Sequence, residues 1–261
     1  MSRLFSPVRI RGETIRNRLF VAPMCQYSSE AQDGMPTQWH MVHLGSRAVG
    51  GAGLVMTEAA AITPQGRISP HDLGIWSDEH AEALRPIVEF ILSQDSVPAI
   101  QIAHAGRKAS HDRPWDGSGT LTLNNGGWEI VGPSPIAYED DWIRPLELSV
   151  EDIKRVELDF AQAAKRSVDA GFKVIELHFA HGYLVCEFMS PLSNQRSDSY
   201  GGPLHNRCRL GLDIVDSIRK VIPDSMPLLV RISSTEYMKD GWAIEDSIEF
   251  TKMLMERGVD M

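Results

Sequence analysis

The stretch SVEDIKRVELDFAQAAKRSVDAGFKVIELHFAHGY, residues 149–183, carries the pattern that decides the fold. Ser149 and Asp152 have the spacing of a capping box, which is typical of a helix start, and apolar residues then recur at helical intervals. Gly171 suits the position just after a helix end. The run 173–178 follows as a strand whose alternate residues share one face. The stretch is therefore a helix followed by a strand, and the strand ends on a histidine.

The same order of strand and helix recurs along the chain. Strands that alternate with helices of 10 or more residues favour a parallel sheet with right-handed crossovers. Further strands are predicted at 19–24, 53–62, 98–104 and 227–233, with the opening of a sixth at 259–261. Further helices are predicted at 38–49, 79–94, 206–221 and 244–257. Within 98–104, Ala99, Gln101 and Ala103 are expected to face a barrel interior, and Ile100 and Ile102 the outer helices.

Two architectures fit this order, an open doubly wound sheet and a (β/α)8 TIM barrel. The dinucleotide fingerprint GxGxxG is missing after the first strand, where Ala-Pro-Met-Cys-Gln-Tyr stands at 22–27. Polar and reactive residues instead lie at the carboxyl ends of several strands, which is typical of the barrel. They are Cys25, Glu58, Gln101, His104, His178 and Arg231. We therefore predict one partial barrel domain over 1–261, with an excursion at 105–148 over its mouth.

The composition narrows the class of protein. Of the 261 residues, 43% are hydrophobic and 23% charged, which is ordinary for a globular chain. The formal net charge of -9 opposes binding to nucleic acid or to an anionic membrane. The three cysteines form no CxxC pair, so neither a disulfide framework nor a zinc ribbon is indicated. Since the sequence contains no secretory signal and no membrane span, we expect a cytoplasmic location.

The loop after strand 173–178 has the most specific chemistry. His178 ends the strand, His181 follows three residues later, and Tyr183 lies just beyond. Two imidazoles at this spacing can donate convergent hydrogen bonds to one substrate oxygen, and a nearby tyrosine can supply a proton. Two other interpretations stay open: ordinary polar loop residues, or metal ligands together with His104 or Glu58. No HExxH motif or pair of acidic ligands accompanies them, so no metal is predicted.

Five segments, in this order along the chain, resemble the Old Yellow Enzyme family of flavin oxidoreductases. They are similar in particular to the branch with a cysteine after Pro-Met, which includes bacterial xenobiotic reductases and NADPH dehydrogenases. The resemblance runs from Leu4 to Met261. The segments are FVAPMCQYS (20–28), GAGLVMTEAAAITPQGRISP (51–70), IQIAHAGRKAS (100–110), ELHFAHGYL (176–184) and FMSPLSNQRSDSYGG (188–202).

The resemblance implies a cofactor and a reaction. FMN would lie, non-covalently bound, across the barrel mouth, with NADPH or NADH as the reductant. Hydride would pass by way of the flavin to the β-carbon of an electrophilic alkene such as an α,β-unsaturated carbonyl compound. The chain is thus expected to be an NADPH dehydrogenase of the ene reductase type that acts on small molecules.

The resemblance also assigns roles to single residues. His178 and His181 would hold the substrate carbonyl, Tyr183 would protonate the α-carbon, and Tyr27 would contact the substrate. Cys25 would lie beside the ring and tune its potential, although free cysteine is also common as a small buried hydrophobe. The FMN contacts would come from Pro23, Met24, Cys25, Ala59, Gln101 and Arg231.

Two of these cofactor contacts also have a physical reason. An inward-pointing arginine is costly unless it meets an anion, which a reduced flavin would supply to Arg231. The amide of Gln101 offers both a donor and an acceptor, which suits the pyrimidine edge of the ring. A structural ion pair for Arg231 and a core polar contact for Gln101 are the alternatives. Lys108 and Trp115 are expected near the same mouth, without a firm role.

The sequence departs from the family in its number of strands. Relatives have eight, whereas residues 1–261 supply five and a fragment, so we predict a barrel truncated after about the start of the sixth strand. An unclosed sheet leaves two strand edges and an apolar interior exposed. The alternative function is therefore a non-catalytic partial barrel with weak or no flavin binding. Since relatives of this branch reach into a neighbouring subunit with a carboxyl-terminal segment, a homo-oligomer is expected only of a full-length chain.

Overall fold

A computed structural model describes residues 3–117 and 119–261 of the chain. The strands are Val8–Ile10 (β1), Glu13–Ile15 (β2), Phe20–Val21 (β3), Leu54–Ala61 (β4), Val97–Ala103 (β5), Val131–Gly132 (β6), Leu146–Glu147 (β7), Val174–Phe179 (β8) and Leu228–Ile232 (β9). The helices are Gln38–Val49 (α1), Asp78–Ser93 (α2), Val150–Ala170 (α3), Leu184–Met189 (α4), Leu204–Arg207 (α5), Arg209–Arg219 (α6) and Ile244–Glu256 (α7).

Strands β3, β4, β5, β8 and β9 lie side by side in that order, and each neighbouring pair is parallel. The sheet curls, because Phe20 on its first strand and Leu229 on its last line the same cavity of about 430 Å³. The chain therefore has an α/β fold with a curled parallel sheet. This confirms the predicted fold class as far as five strands can show it.

The two faces of the sheet pack differently, as the alternation along 98–104 predicted. Ile100 and Ile102 are fully buried in the large outer core, which contains the apolar faces of the surrounding helices. Ala99 points the other way and packs with Leu54 and Val174 in a smaller inner cluster. Full burial of one isoleucine stabilises the fold by about 1.5–3 kcal/mol. The outer face therefore holds the helices, and small residues keep the interior open.

Helix α3 begins and ends where the sequence predicts. The Ser149 hydroxyl accepts from the Asp152 N–H at 3.1 Å, and the Asp152 carboxylate accepts from the Ser149 N–H at 3.2 Å. Gly171 follows the helix with φ of 99°, a left-handed conformation that disfavours other residues. These two local signals fix where α3 begins and ends, and therefore where β8 can begin.

Two predicted elements differ in extent, and one helix was not predicted. The strand predicted at 19–24 pairs only at Phe20–Val21. The helix predicted at 206–221 is divided into α5 and α6 at Cys208. Helix α4 was not predicted: all six of its residues are buried, so it has no polar face and no helical period.

The residues predicted to open a sixth strand, 259–261, are not assigned to a strand. Two backbone hydrogen bonds join them to β9: the Asp260 N–H donates to the Leu228 carbonyl and the Val230 N–H donates to the Met261 carbonyl, each at 2.9 Å.

An amino-terminal hairpin covers the end of the sheet opposite to the predicted site, and the sequence analysis missed it. Strands β1 and β2 are antiparallel, and Ile15 is fully buried in the inner cluster with Leu54. At the hairpin turn, the Arg11 guanidinium donates to Asp260 at 2.8 Å and to the Gly258 carbonyl at 2.9 Å. In the described residues, no helix is both long and apolar enough to cross a membrane.

Candidate active site

The predicted site residues lie on adjacent strands, at the carboxyl end of the curled sheet. Ala59 on β4 is paired in register with Gln101 on β5, and Gln101 with Glu176 on β8. His178 is in turn paired with Arg231 on β9. An irregularity in β4 between Met56 and Ala59 shifts the register just before Ala59. Parallel pairing thus brings the predicted residues to one edge.

Gln101 has a partner that the sequence analysis did not identify. Its side-chain amide donates to Glu176 Oε1 at 2.6 Å, and Gln101 is almost fully buried. Burial raises the pKa of Glu176, while the Gln101 hydrogen bond and the charge of Arg231 act in the opposite direction. Glu176 could have been found from the sequence, because it shares a strand face with His178. The bond fixes the amide and leaves its carbonyl oxygen and one N–H for another group.

The two histidines and Tyr183 form one aromatic cluster. The Nε2 atom of His178 lies 3.1 Å from Nδ1 of His181. The ring of Tyr183 lies edge-on to that of His178, with centroids 5.0 Å apart, and 6.5 Å from that of His181. His178 is 4% exposed. The side chains of His178, His181 and Tyr183, which the sequence predicted to act together, are therefore in contact or close to one another.

Both imidazoles are held in the neutral form. Burial lowers the pKa of His178 to about 3, and the neighbouring His181, Arg231 and Lys108 contribute in the same direction. Burial, Arg231 and Lys108 likewise lower the pKa of His181. At neutral pH each ring therefore carries one N–H and can donate one hydrogen bond.

The backbone of His181 adopts a conformation that is rare for residues other than glycine. Its φ is 60°, in the left-handed region. Its N–H donates to the Ser233 hydroxyl at 2.9 Å, and its carbonyl accepts from Lys108 Nζ at 3.0 Å. The Ser233 and Lys108 side chains, from two other segments, therefore bind the N–H and the carbonyl of His181.

Cys25, Tyr27 and Tyr183 lie close to one another. The Cys25 thiol meets the backbone N–H of Ala59, and burial raises its pKa, with a further increase from the charges of Asp72 and Glu58. Burial also raises the pKa of Tyr183, so its phenol stays protonated. The same holds for Tyr27, which also contacts the Cys25 thiol.

Tyr27 lies at the outer edge of the candidate site. Its φ is 51°, and its ring meets Trp115 edge-on with centroids 5.8 Å apart. Trp115 is 63% exposed and lies over the Arg113 guanidinium. Trp115 thus contacts a predicted substrate-binding residue from the solvent side.

Arg231 is half-buried and lines the interior cavity with Pro23 and Glu176. Among residues 3–117 and 119–261, no carboxylate lies within 4.0 Å of its guanidinium. A cation in this position suits the anionic edge of a planar group. Met24 is placed differently: it is 45% exposed and does not line this cavity.

The other residues at the strand ends have local partners. Glu58 lies 3.5 Å from the ring of buried His40. His104 accepts from the Gly106 N–H at 3.0 Å, and burial lowers its pKa to about 4. The described part of the chain contains no group of three or more His, Cys, Asp or Glu side chains arranged to hold a metal ion.

Two buried acids near the site were not found from the sequence. Asp72 lines a small crevice with Ala59 and Tyr183, and burial raises its pKa to about 7. Glu187 lies on α4, and burial raises its pKa to about 8. No periodicity or motif marks these positions, because their burial depends on the packing of distant segments.

Comparison with known proteins points to one family. A family model described as NADH:flavin oxidoreductase / NADH oxidase matches residues 3–261. An NADPH dehydrogenase of Bacillus subtilis is 45% identical over 259 residues, which cover 99% of this chain and 72% of that protein. An NADH:flavin oxidoreductase of Gibberella zeae is 44% identical over 275 residues, which cover 100% of this chain and 66% of that protein. The chain thus spans about two thirds of the length of these curated relatives.

A solved structure agrees with the sequence comparisons. The Old Yellow Enzyme homologue of Zymomonas mobilis superimposes with a TM-score of 0.85 and 29% sequence identity. The match covers 99% of this chain and 72% of that one.

Proposed function

We propose, since the chain belongs to the NADH:flavin oxidoreductase / NADH oxidase family, that it is an FMN-dependent ene reductase. It takes hydride from NADPH or NADH and delivers it to activated alkenes such as α,β-unsaturated carbonyl compounds. The five parallel strands then correspond to five consecutive strands of a (β/α)8 barrel, with the site at their carboxyl ends.

The observation that carries this proposal is the convergence of His178, His181 and Tyr183 beside Arg231. The two rings are 4.9 Å apart between centroids, and the arginine is the register partner of His178. The imidazoles can bind a carbonyl oxygen. Arg231, which has no carboxylate within 4.0 Å among the described residues, can face an anionic ring beside that oxygen.

The donor set fits FMN. Arg231 would face the negative edge of the ring, and Gln101 would hold the pyrimidine edge with its free carbonyl and N–H. Ala59 and the backbone of Pro23, Met24 and Cys25 would lie against the flat ring: Pro23 lines the same cavity as Arg231, and the Cys25 thiol meets the backbone N–H of Ala59. When bound, FMN supplies the hydride chemistry.

His178 and His181 bind the carbonyl oxygen of the substrate. Because both are neutral, each donates one N–H and neither protonates the oxygen outright. As hydride reaches the β-carbon, negative charge builds on this oxygen, and the imidazole donors bind it more strongly than the ground-state carbonyl.

Tyr183 gives its phenolic proton to the α-carbon of the substrate. The ring lies 5.0 Å from that of His178, so the donor stands beside the bound carbonyl. The raised pKa keeps the proton on Oη until carbanion character develops. Tyr27 contacts the substrate at the rim.

The experiment is to purify the protein, measure FMN bound per chain, and follow NADPH oxidation with and without 2-cyclohexenone. The proposal expects a yellow protein with about one FMN per chain and oxidation that depends on the enone. A colourless protein that takes up no added FMN would instead favour the non-catalytic partial barrel.

A further inference from the structure

Glu187 is a buried acid beside the candidate site. It lies on α4, four residues after Tyr183, and is 1% exposed. Its Oε1 atom accepts from the Arg107 N–H at 2.9 Å, and its Oε2 atom has no hydrogen-bond partner among the described residues. Gly106 makes room for it, because a side chain there would collide with the carboxyl group. The acid is thus fitted against the turn that contains Arg107.

That turn, residues 106–108, fixes the position of Lys108, its last residue. Its backbone is closed by the Lys108 N–H donating to the Ala105 carbonyl at 3.2 Å. The Arg107 guanidinium secures it from outside through the carbonyls of Ile136 and Ala137, each at 3.2 Å. Glu187 is the contact from the interior. Removing its carboxyl group would leave the Arg107 N–H without this acceptor. The direction in which the Lys108 side chain leaves the turn would then no longer be fixed.

Lys108 in turn reaches the substrate-binding loop. Its Nζ atom donates to the His181 carbonyl at 3.0 Å and lies over two aromatic faces, 4.5 Å from the Tyr138 centroid and 5.3 Å from that of Tyr183. Burial lowers the pKa of Lys108. The ammonium is therefore held at a fixed place rather than in solvent.

The peptide that Lys108 holds is the left-handed one at His181. This conformation is unfavourable for a residue with a side chain. It persists because the Ser233 hydroxyl and the Lys108 ammonium hold its two ends. Without the ammonium, His181 would be free to relax toward ordinary backbone angles, and its ring would turn away from His178.

We propose that Glu187 is a positioning residue for His181, acting through the 106–108 turn and the ammonium of Lys108. The inference rests on the proposed function only where it takes His181 to bind the substrate oxygen. The chain of contacts runs from the Glu187 carboxylate to the Arg107 N–H, then from Lys108 Nζ to the His181 carbonyl.

The test uses Glu187→Met, which keeps the length of the side chain but removes the acceptor, and Glu187→Gln, which keeps it. Lys108→Met removes the last contact, and Lys239→Met, at an exposed lysine, is the control for the lost charge. NMR titration of the His181 imidazole, assigned with His181→Gln, is the readout. The charged or titratable groups that act on this ring are His178, Arg231 and Lys108.

Glu187→Met and Lys108→Met should raise the His181 titration midpoint by similar amounts, and the double variant should raise it no further. Glu187→Gln and Lys239→Met should leave it where it is. The proposal is overturned if Glu187→Met leaves the midpoint unchanged, if Glu187→Gln moves it as far, or if the effects of the two Met variants add. Should Glu187→Met fail to fold, Glu187→Ala removes the acceptor without added bulk and makes the same comparison.

A kinetic measurement adds the link to function. The KM for 2-cyclohexenone should rise about tenfold in Glu187→Met, and Glu187→Gln should restore it, consistent with about 1.4 kcal/mol of lost binding. If the wild-type protein reduces no enone, the proposed function fails, whereas the NMR titration still decides the positioning role. An unchanged KM in a variant with a shifted His181 midpoint would overturn the role in substrate binding.

Discussion

The Nε2 atom of His178 faces the Nδ1 atom of His181 at 3.1 Å, and the other ring nitrogen of His178 accepts from the Ala180 N–H at 3.2 Å. Because Nδ1 of His178 is the acceptor, the proton of the neutral ring sits on Nε2 and is donated to His181. A developing enolate oxygen is a stronger acceptor than a neutral imidazole nitrogen. The His178 N–H is therefore available to the oxygen as its charge grows, which is when binding accelerates the reaction.

His178→Ala removes this donor. We expect kcat/KM for 2-cyclohexenone to fall by about 10²-fold, the usual effect of losing one donor to a developing oxyanion. Steady-state NADPH oxidation measures it, with FMN content per chain as the control for folding. A variant that keeps its FMN and its full rate of enone reduction would contradict the oxygen-binding role.

Tyr183→Phe should slow enone reduction by roughly 10²–10⁴-fold, because proton donation from a positioned side chain contributes about that much. Reduction of the bound FMN by NADPH should change far less, since it needs no proton from the phenol. Stopped-flow absorbance separates the two half-reactions. Tyr237→Phe, at a residue that is 89% exposed, is the matched control. Equal slowing of both half-reactions would remove the donor role of Tyr183.

Arg231→Met should weaken FMN binding by roughly tenfold to a hundredfold. A hydrogen bond to a charged group contributes about 1.5–3 kcal/mol, and each 1.4 kcal/mol is a factor of ten in Kd. Fluorescence titration of flavin-free protein with FMN gives the Kd. Arg231→Lys should recover part of the loss, because it keeps the charge but not the planar fork. An FMN affinity equal to wild type in Arg231→Met would place the arginine outside the cofactor site.

Glu187 makes stability depend on pH in a defined direction. Burial raises its pKa from 4.5 to about 8, so between these values the folded chain keeps a proton that the unfolded chain has lost. The wild-type free energy of unfolding should therefore fall, relative to Glu187→Gln, as pH rises from 5 to 8, by at most about 1.4 kcal/mol per pH unit.

Urea unfolding of the two proteins at pH 5, 6.5 and 8 measures this difference. Other titrating groups are the same in both and cancel in the comparison. Glu82→Gln, at an exposed position, is the matched control for the loss of one carboxyl group. If the Glu187→Gln difference does not vary with pH, the buried acid does not titrate as described.

The elements set by local signals were predictable from the sequence. The Ser149 capping box and Gly171 fixed helix α3, and the alternation along 98–104 separated the inner from the outer face of β5. Five co-linear motifs predicted the family, which the family match over residues 3–261 confirms. Parallel topology alone was enough to place His178 beside Arg231, because neighbouring strands end at one edge.

What the sequence did not show depends on contacts between distant segments. The Gln101–Glu176 hydrogen bond, the left-handed backbone at His181 and the Lys108 contact that holds it each join residues from separate elements. Helix α4 has no polar face to produce a period, and the strand predicted at 19–24 ends its pairing at Val21 although its partner β4 continues to Ala61. Residue type and spacing do not encode such contacts.

The amino-terminal hairpin has a consequence for the order of folding. Arg11 precedes its partners Gly258 and Asp260 by about 250 positions. During synthesis these contacts therefore cannot form until the partners leave the ribosome. Contacts of such long sequence separation form slowly. The contacts at the hairpin turn are thus expected to form after the local turns and helices of the same chain.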